Sequence, residues 1–165
     1  MRYPLTNGRY ADSVILVRES GTPQSDWVAT VLNSSSDSYT SLNNSDRVFT
    51  VPVNTEWRVN LIYAQLVSSA VAGSRRLICR VESPLLNPIC EMVTQIQQAA
   101  STTLRYSFAE GLPDVSSVRA TSYVTAPFPP VIIGAGCRVR VLDLSAIDSS
   151  GDNLTVRLNI SQRSI

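Results

Sequence analysis

From residue 47 onward, apolar and polar residues alternate in short runs that are separated by turn-forming residues. Three of these runs are residues 57–67, 102–109 and 154–160. Alternation with a period of two is the pattern of a β-strand that buries one of its faces. With the other runs, we expect about eight strands in about 115 residues, which favours an all-β fold. The other runs are residues 47–53, 75–81, 89–97, 119–125, 131–133 and 137–142.

The fold predicted from this rhythm is an antiparallel two-sheet sandwich of jelly-roll type. In residues 57–67, the alternation predicts one inward face that carries Trp57, Val59, Leu61, Tyr63 and Val67. The segment DSSGDN, residues 148–153, has the Gly, Asp and Asn content of a β-hairpin turn. The inward positions predicted for the other strands are Leu77, Cys79, Val81, Leu104, Tyr106, Phe108, Cys137, Val139, Val141, Leu154, Val156, Leu158 and Ile160.

The first 46 residues differ in texture from the rest of the chain. Pro4, Gly8, Gly21 and Pro23 interrupt any regular element, and residues 33–46 are rich in Ser and Asn. By itself such a segment reads as a flexible linker, and against a partner it reads as an extended arm. Residues 26–32 fit either a short strand or one helical turn. We therefore predict a largely irregular N-terminal arm, residues 1–46, followed by the β-sandwich domain, residues 47–165.

The chain contains no histidine and no lysine, and its 14 basic residues are all arginine. Without an imidazole or an amine, histidine-dependent triads, histidine metal clusters and Schiff-base chemistry are excluded. The net charge of +1 gives no reason to expect bulk binding to nucleic acid or to an anionic membrane. No run of apolar residues is long enough for a membrane helix, and residues 1–20 lack a signal-peptide pattern.

The acids and the cysteines offer further candidate sites. Paired carboxylates could support glycoside hydrolysis, but the 13 acids are scattered, with Glu82, Glu91 and Glu110 near strand ends. Asp148, Asp152 and Asn153 surround a turn and could offer oxygen ligands to calcium, yet they lack the EF-hand spacing. The three cysteines form no CxxC pair, and small buried thiols are favoured over a redox or zinc site. The sequence thus predicts no enzyme, no cofactor, no metal and no small-molecule substrate.

Arginines recur at the outward positions of the predicted strands, where three interpretations compete. Guanidinium groups are favoured at protein interfaces, they bind phosphate backbones, and they also occur simply as solvated surface charges. The near-neutral charge balance argues against nucleic acid. These outward arginines are Arg58, Arg76, Arg80, Arg105, Arg138, Arg140 and Arg157.

We therefore expect a surface for protein–protein contact, with aromatic residues of the arm as anchors. Trp27 fits equally well as an interface residue or as packing for its own domain. The candidate interface residues are Tyr3, Arg9, Tyr10, Trp27, Arg76, Arg80, Arg105, Arg138 and Arg140.

Two stretches carry a resemblance to a known class of protein. They are WRVNLIYAQLVSSAVAGSRRLICRVE and QQAASTTLRYSFAEGLPD. A long aromatic- and Arg-containing strand, a small-residue turn, an Arg-Arg strand and an AAS-led strand resemble the small jelly-roll virion proteins of tailed bacteriophages. The resemblance spans roughly residues 48–160 and concerns a pattern, not a strict motif.

The resemblance implies a capsid decoration, or cement, protein that stabilises the shell through contacts between subunits. It also implies a homo-oligomer, with a trimer favoured. The partners it implies are the major capsid protein or other virion proteins, which the domain and the arm would contact. Localisation in the virion, after synthesis in the host cytoplasm, follows. The alternatives are a neck or tail component, or a carbohydrate- or receptor-binding jelly-roll module. The latter would use exposed loop aromatics, for which Tyr123 and Phe128 are the candidates.

Overall fold

The computed structural model describes residues 27–34, 44–112 and 120–165, and within these residues the fold is all-β and contains no helix. The all-β class predicted from the sequence is confirmed. Ten strands are present in the described residues, nine of which follow residue 45. They are β1 (Val28–Asn33), β2 (Asp46–Thr50), β3 (Thr55–Val67), β4 (Leu77–Glu82), β5 (Pro88–Val93), β6 (Thr103–Ala109), β7 (Tyr123–Pro127), β8 (Ile132–Ile133), β9 (Arg138–Asp143) and β10 (Asn153–Ser164).

The strands form two sheets that pack face to face as a β-sandwich. The larger sheet has the order β1-β10-β3-β6-β7, with β8 paired to β3, and the smaller has the order β2-β9-β4-β5. All neighbouring pairs are antiparallel except β6 and β7, which run parallel. Fully buried side chains of both sheets meet between them, among them Phe49, Cys79, Tyr106 and Leu158.

The alternation predicted for residues 57–67 is wrong beyond Val59. The pairing of β3 with β10 shifts register there, because Ile160 lies opposite Val59 while Asn159 lies opposite Leu61. Asn60 is the extra residue of a β-bulge, which reverses the two faces of the strand. As a result Leu61, Tyr63 and Val67 point away from the core. The buried positions of this half of the strand are instead Ile62, Ala64 and Leu66.

Strands without a bulge follow the predicted alternation. In β10 the four aliphatic positions from Leu154 to Ile160 are fully buried, and in β6 Tyr106 and Phe108 are buried with Leu104 packed against them. In β4 and β9 the inward residues are likewise those expected from the sequence. These are Leu77, Cys79, Val81, Val139 and Val141, with Cys137 half-buried against the core.

The segment of residues 148–153 is not a hairpin turn. It connects β9 to β10, and these two strands belong to different sheets. The connection therefore crosses from one layer of the sandwich to the other. The Gly, Asp and Asn content of the segment identified a turn correctly but gave no information on which strands the turn joins.

β1 lies inside the segment for which the sequence predicts an irregular arm. Residues 26–32 fit either a short strand or one helical turn by sequence, and the structure shows the strand. β1 extends the larger sheet by pairing with β10 from Val28, opposite Gln162, to Asn33, opposite Arg157. Residues 1–26 and 35–43, which make up the rest of the predicted arm, lie outside the described residues.

Candidate protein interface

The outer surface of the larger sheet is not covered by any other described strand, and we call it the open face. Strand register aligns its side chains in rows across the sheet. One row contains Val31, Asn159, Leu61 and Ala109, and the next contains Arg157, Tyr63 and Ser107. A third row contains Gln65, Arg105 and Tyr123. Aliphatic, aromatic and cationic side chains therefore alternate on a surface that spans five strands.

A shallow groove of about 300 Å³ crosses the open face. It is lined by Val31, Leu61, Tyr63, Arg157 and Asn159. The groove exists because of the bulge at Asn60, which moves Leu61 and Tyr63 from the core side to the outer side of β3. Its walls are mainly apolar, with a guanidinium and an amide at the rim. This composition suits an apolar side chain flanked by hydrogen-bonding groups.

Next to the groove, the bulge itself is fixed by side-chain hydrogen bonds. The Asn60 amide donates to Asn159 Oδ1 at 3.3 Å and to Ser161 Oγ at 3.0 Å. Both acceptors belong to β10, so the amide ties the bulged residue to the neighbouring strand. The groove is thus a feature of the sheet backbone and does not depend on a loop.

The open face is electropositive. Arg58 and Arg157 are exposed and form no ion pair with any described residue. The guanidinium carbon of Arg105 lies 5.3 Å from the centre of the Tyr123 ring. Arg163 lies 4.7 Å from the centre of the Trp27 ring and also pairs with Glu56, with 2.7 Å between Nη2 and Oε2.

The strands of the open face have a net charge of +3, compared with +1 for the whole chain. This charge comes from the single carboxylate of Glu56 and from four arginines, which are Arg58, Arg105, Arg157 and Arg163. Two of the predicted interface residues, Trp27 and Arg105, belong to this face. Trp27 is 36% exposed and packs under Arg163 of its own domain, and its place at an interface stays a prediction.

Three other arginines of the predicted interface lie together on the outer side of the smaller sheet. There Arg80, Arg138 and Arg140 surround the buried carboxylate of Glu82. Arg138 Nε lies 3.1 Å from Glu82 Oε2, and Arg140 Nη2 lies 2.6 Å from Asp46 Oδ2. The hydrogen bond to Asp46 raises the pKa of the Arg140 guanidinium above its ordinary value. The charges of this cluster are largely satisfied within the chain.

Arg76 occupies a different position, at one end of the smaller sheet. Its backbone N–H donates to Asp143 Oδ1 at 3.0 Å. Its Nε and Asp143 Oδ2 are buried and have no hydrogen-bond partner among the described residues. Arg76 also lines a small polar pocket of about 120 Å³ with Ser74, Gln97, Leu144 and Ser145. The remaining predicted interface residues, Tyr3, Arg9 and Tyr10, lie outside the described residues.

A buried ion pair that the sequence gave no reason to expect joins Arg75 and Asp152. Both side chains are fully buried, and Arg75 Nε lies 2.9 Å from Asp152 Oδ2. The Ser69 N–H donates to Asp152 Oδ1 at 2.7 Å, and Arg75 also donates to the Gly73 carbonyl and to Ser69 Oγ. Sequence reasoning missed the pair because its members are 77 positions apart.

The oxygen ligands considered for calcium are used in other ways. Asp152 accepts hydrogen bonds from Arg75 and Ser69, while Asp148 accepts one from the Gly151 N–H at 2.9 Å. This Gly151 hydrogen bond, with help from Ser69 and Ser150, holds the pKa of Asp148 below its usual value. In the ranges that the structure describes, no group of three or more potential metal-binding acids and thiols is assembled.

The other candidate groups are dispersed. Glu91 pairs with Arg80, and Glu110 follows β6 at the surface. The three cysteines are free thiols, with Cys79 buried in the core. Of the two aromatic candidates for a glycan site, Phe128 is 3% exposed and belongs to the core, whereas Tyr123 is exposed beneath Arg105.

No known protein-family model matches the chain, and no curated protein matches its sequence. Within the described ranges, no helix has the length and apolar character needed to cross a membrane.

Proposed function

We propose that this chain is a structural virion protein of a tailed bacteriophage, most simply a capsid decoration protein, and that it binds its partner through the open face. The observation that carries the proposal is the open face itself. It combines a bulge-formed apolar groove with arginines that have no carboxylate partner among the described residues. Apolar anchors ringed by arginine are enriched in protein interfaces.

The partner surface that this geometry fits is acidic, with an apolar side chain that can enter the groove. Arg58 and Arg157 can form ion pairs with the partner without breaking any ion pair to a described residue. Electrostatic complementarity of this kind mainly accelerates association and selects the partner, while the buried apolar contact slows dissociation. The major capsid protein, or another virion protein, is the proposed partner.

The β-sandwich fold supports the resemblance to jelly-roll virion proteins at the level of fold class. Jelly-roll topology, the homotrimer, the role of an N-terminal arm and the virion location are parts of the same proposal. The glycan-binding alternative has lost one of its two aromatic candidates, since Phe128 is buried. A neck or tail location would use the same surface in the same way.

The test is co-sedimentation of the purified protein with phage shells from which it has been removed. We expect saturable binding that weakens as salt concentration rises, because exposed charges are screened. The variant Leu61→Asp with Arg157→Glu should lose at least tenfold in affinity, since it places acids in the groove and at its rim. Val53→Asp, at a position that is 80% exposed in the turn between β2 and β3 and does not line the groove, is the control and should bind as the unaltered chain does.

Equal binding by the open-face variant and the control would contradict the assignment of the open face. Absence of any binding to shells, together with binding of the isolated protein to an immobilised glycan, would overturn the structural role in favour of a receptor-binding module. Light scattering of the purified protein tests the trimer separately.

A further inference from the structure

β5 is an edge strand whose outer backbone groups have no partner in the described residues. It pairs with β4 alone, in the register Ile78 opposite Val93 and Arg80 opposite Glu91. The Thr94 N–H donates to the Leu77 carbonyl at 3.0 Å, which fixes the directly hydrogen-bonded pairs of this ladder. Because such pairs alternate along an antiparallel ladder, the N–H and C=O groups of Glu91 and Val93 point away from β4.

Exposed aliphatic side chains are concentrated along this edge and in the turns that flank it. Isolated exposed aliphatics are common on protein surfaces, whereas several of them along and beside an open strand edge favour strand addition. The five residues that form the group are Leu85, Leu86, Ile89, Val93 and Ile96, with exposures from 38% to 82%.

Leu86 adds a second, independent signal. Its φ of +67° is in the left-handed region, where glycine or asparagine is the usual choice and leucine is strained. The turn around it is well defined, with hydrogen bonds from Leu86 N–H to the Ser83 carbonyl and from Ser83 N–H to the Asn87 carbonyl. Strained backbone of this kind clusters at functional sites, and here it displays an apolar side chain that is 56% exposed.

The arrangement of these residues is symmetric about Glu91. Ile89 and Val93 lie two positions from it on either side, and Leu86 and Ile96 lie five positions from it on either side. A two-fold axis through Glu91 therefore brings Ile89, the extra residue of a bulge in the ladder with β4, beside Val93 of the other copy. Leu86 and Ile96 lie beyond the two ends of β5, so they flank this pairing. This self-complementarity is what an isologous contact requires.

We propose that β5 pairs antiparallel with β5 of a second copy of this chain, about a two-fold axis at Glu91. The two smaller sheets then join into one eight-stranded sheet. Glu91 of each copy is already paired with Arg80, with 2.6 Å between Nη2 and Oε2, so the two carboxylates meet with their charges matched. A two-fold contact needs an even number of copies, and with three-fold association it gives six.

Disulfide trapping tests the axis directly. In a Cys90→Ser, Cys137→Ser background, Glu91→Cys places two thiols across a hydrogen-bonded pair, whose Cα atoms lie about 5.5 Å apart and within disulfide range. We expect mild oxidation to give mainly the covalent dimer on a non-reducing gel. Val53→Cys in the same background is the control for random collision, since Val53 is 80% exposed and follows β2, the strand at the opposite edge of the smaller sheet from β5. A dimer yield for Glu91→Cys no higher than for the control overturns the proposal.

Sedimentation velocity supplies a test without cysteine. Val93→Pro removes an outward N–H and leaves the β4–β5 ladder bonds intact, so it should halve the mass of the unaltered assembly. Val93→Thr keeps the N–H and should retain the contact with at most a few-fold weakening. β5 pairing is contradicted if folded Val93→Pro has the same mass as the unaltered assembly. It is also contradicted if the unaltered chain is a monomer at concentrations up to about 100 µM, a range that covers weak, micromolar contacts.

Discussion

Arg75 and Asp152 form a fully buried ion pair that joins the start of the smaller sheet to the last strand of the larger one. Arg75 precedes β4 and also forms an isolated bridge with Gln98, while Asp152 immediately precedes β10. Their side chains are 0% exposed, and each makes further hydrogen bonds to Ser69. The pair therefore ties both layers of the sandwich to the turn that follows β3.

Breaking this pair from one side should destabilise the protein severely. Asp152→Ala leaves the Arg75 guanidinium buried without its counter-ion, and we expect a loss of about 3–5 kcal/mol in the free energy of unfolding. Urea denaturation followed by tryptophan fluorescence measures the loss. The double variant Arg75→Met with Asp152→Leu should recover much of it, because no charge is then left unpaired. A loss below about 1 kcal/mol for Asp152→Ala would show that the pair is not coupled to folding.

Acid should weaken the fold through the same carboxylate. Burial alone would raise the pKa of Asp152, but hydrogen bonds from Arg75 and Ser69 outweigh it and hold the pKa below the ordinary value of 3.8. The unfolded chain thus binds a proton more readily than the folded chain. The stabilisation is complete above about pH 4 and is lost as the pH falls through the lowered folded value.

The corresponding measurement is urea denaturation at several pH values between about 2 and 6. Asp152→Asn should be less stable than the unaltered chain at pH 6, and its stability should fall less steeply below about pH 4. Parallel curves for the two proteins would mean that other carboxylates account for the acid sensitivity.

The fold class could be predicted from the sequence because strand alternation is local, whereas the bulge at Asn60 could not. The signal for β10 is unambiguous, since its aliphatic and polar positions alternate without a break. In β3, residues 61–64 read Leu-Ile-Tyr-Ala, so apolar residues face inward whether the odd-numbered or the even-numbered positions are buried. Only the pairing with β10 decides which of the two sets is buried, and this pairing depends on residues that are distant in the sequence.

Substitutions at neighbouring positions of β3 test the reversal of faces. Ile62→Ala should cost about 2–5 kcal/mol in the free energy of unfolding, because it leaves a cavity in the core. Leu61→Ala should cost about 1 kcal/mol or less, since Leu61 is only half-buried at the groove. Chemical denaturation of the two variants gives the comparison. A larger loss for Leu61→Ala than for Ile62→Ala would mean that β3 has no bulge and that Leu61 faces the core.

The candidate interface shows the same limit of sequence reasoning. Outward positions for Arg80, Arg138 and Arg140 followed from alternation, but their pairing with Glu82 and Asp46 depends on which strands are neighbours. The candidate interface residues do not include Arg58 and Arg157, although alternation places both outward and both lie on the open face. A strand pattern can assign a side chain to a face and cannot show what lies beside it there.

Thiol reactivity should follow burial. Cys79 lies in the core, and burial raises its pKa well above the ordinary value. Burial also raises the pKa of Cys90, against an opposing backbone hydrogen bond with Val81. At about pH 8, a chromogenic disulfide reagent should therefore label Cys79 only as fast as the protein unfolds, since the thiolate is the reactive form.

Cys90 and Cys137 are half-buried and should react before Cys79 does. A Cys79→Ala variant should show the same number of rapidly reacting thiols as the unaltered chain in the native state, and one fewer in denaturant. Labelling of Cys79 at the rate of the other two would contradict its position in the core.

The strain at Leu86 gives a prediction that separates stability from association. Leu86→Gly removes the side chain that makes a φ of +67° unfavourable, so the isolated fold should gain up to about 1 kcal/mol in the free energy of unfolding. The same change removes an exposed aliphatic from the proposed β5 contact and should weaken dimerisation several-fold. Denaturation below the dimer dissociation constant gives the first quantity, and sedimentation at higher concentration gives the second. Leu85→Gly is the matched control, because Leu85 is the neighbour of Leu86 but does not have a positive φ. This variant should weaken association without the gain in stability.

If both substitutions destabilise the fold and leave association unchanged, Leu86 is a structural residue of its own turn and does not contribute to the contact.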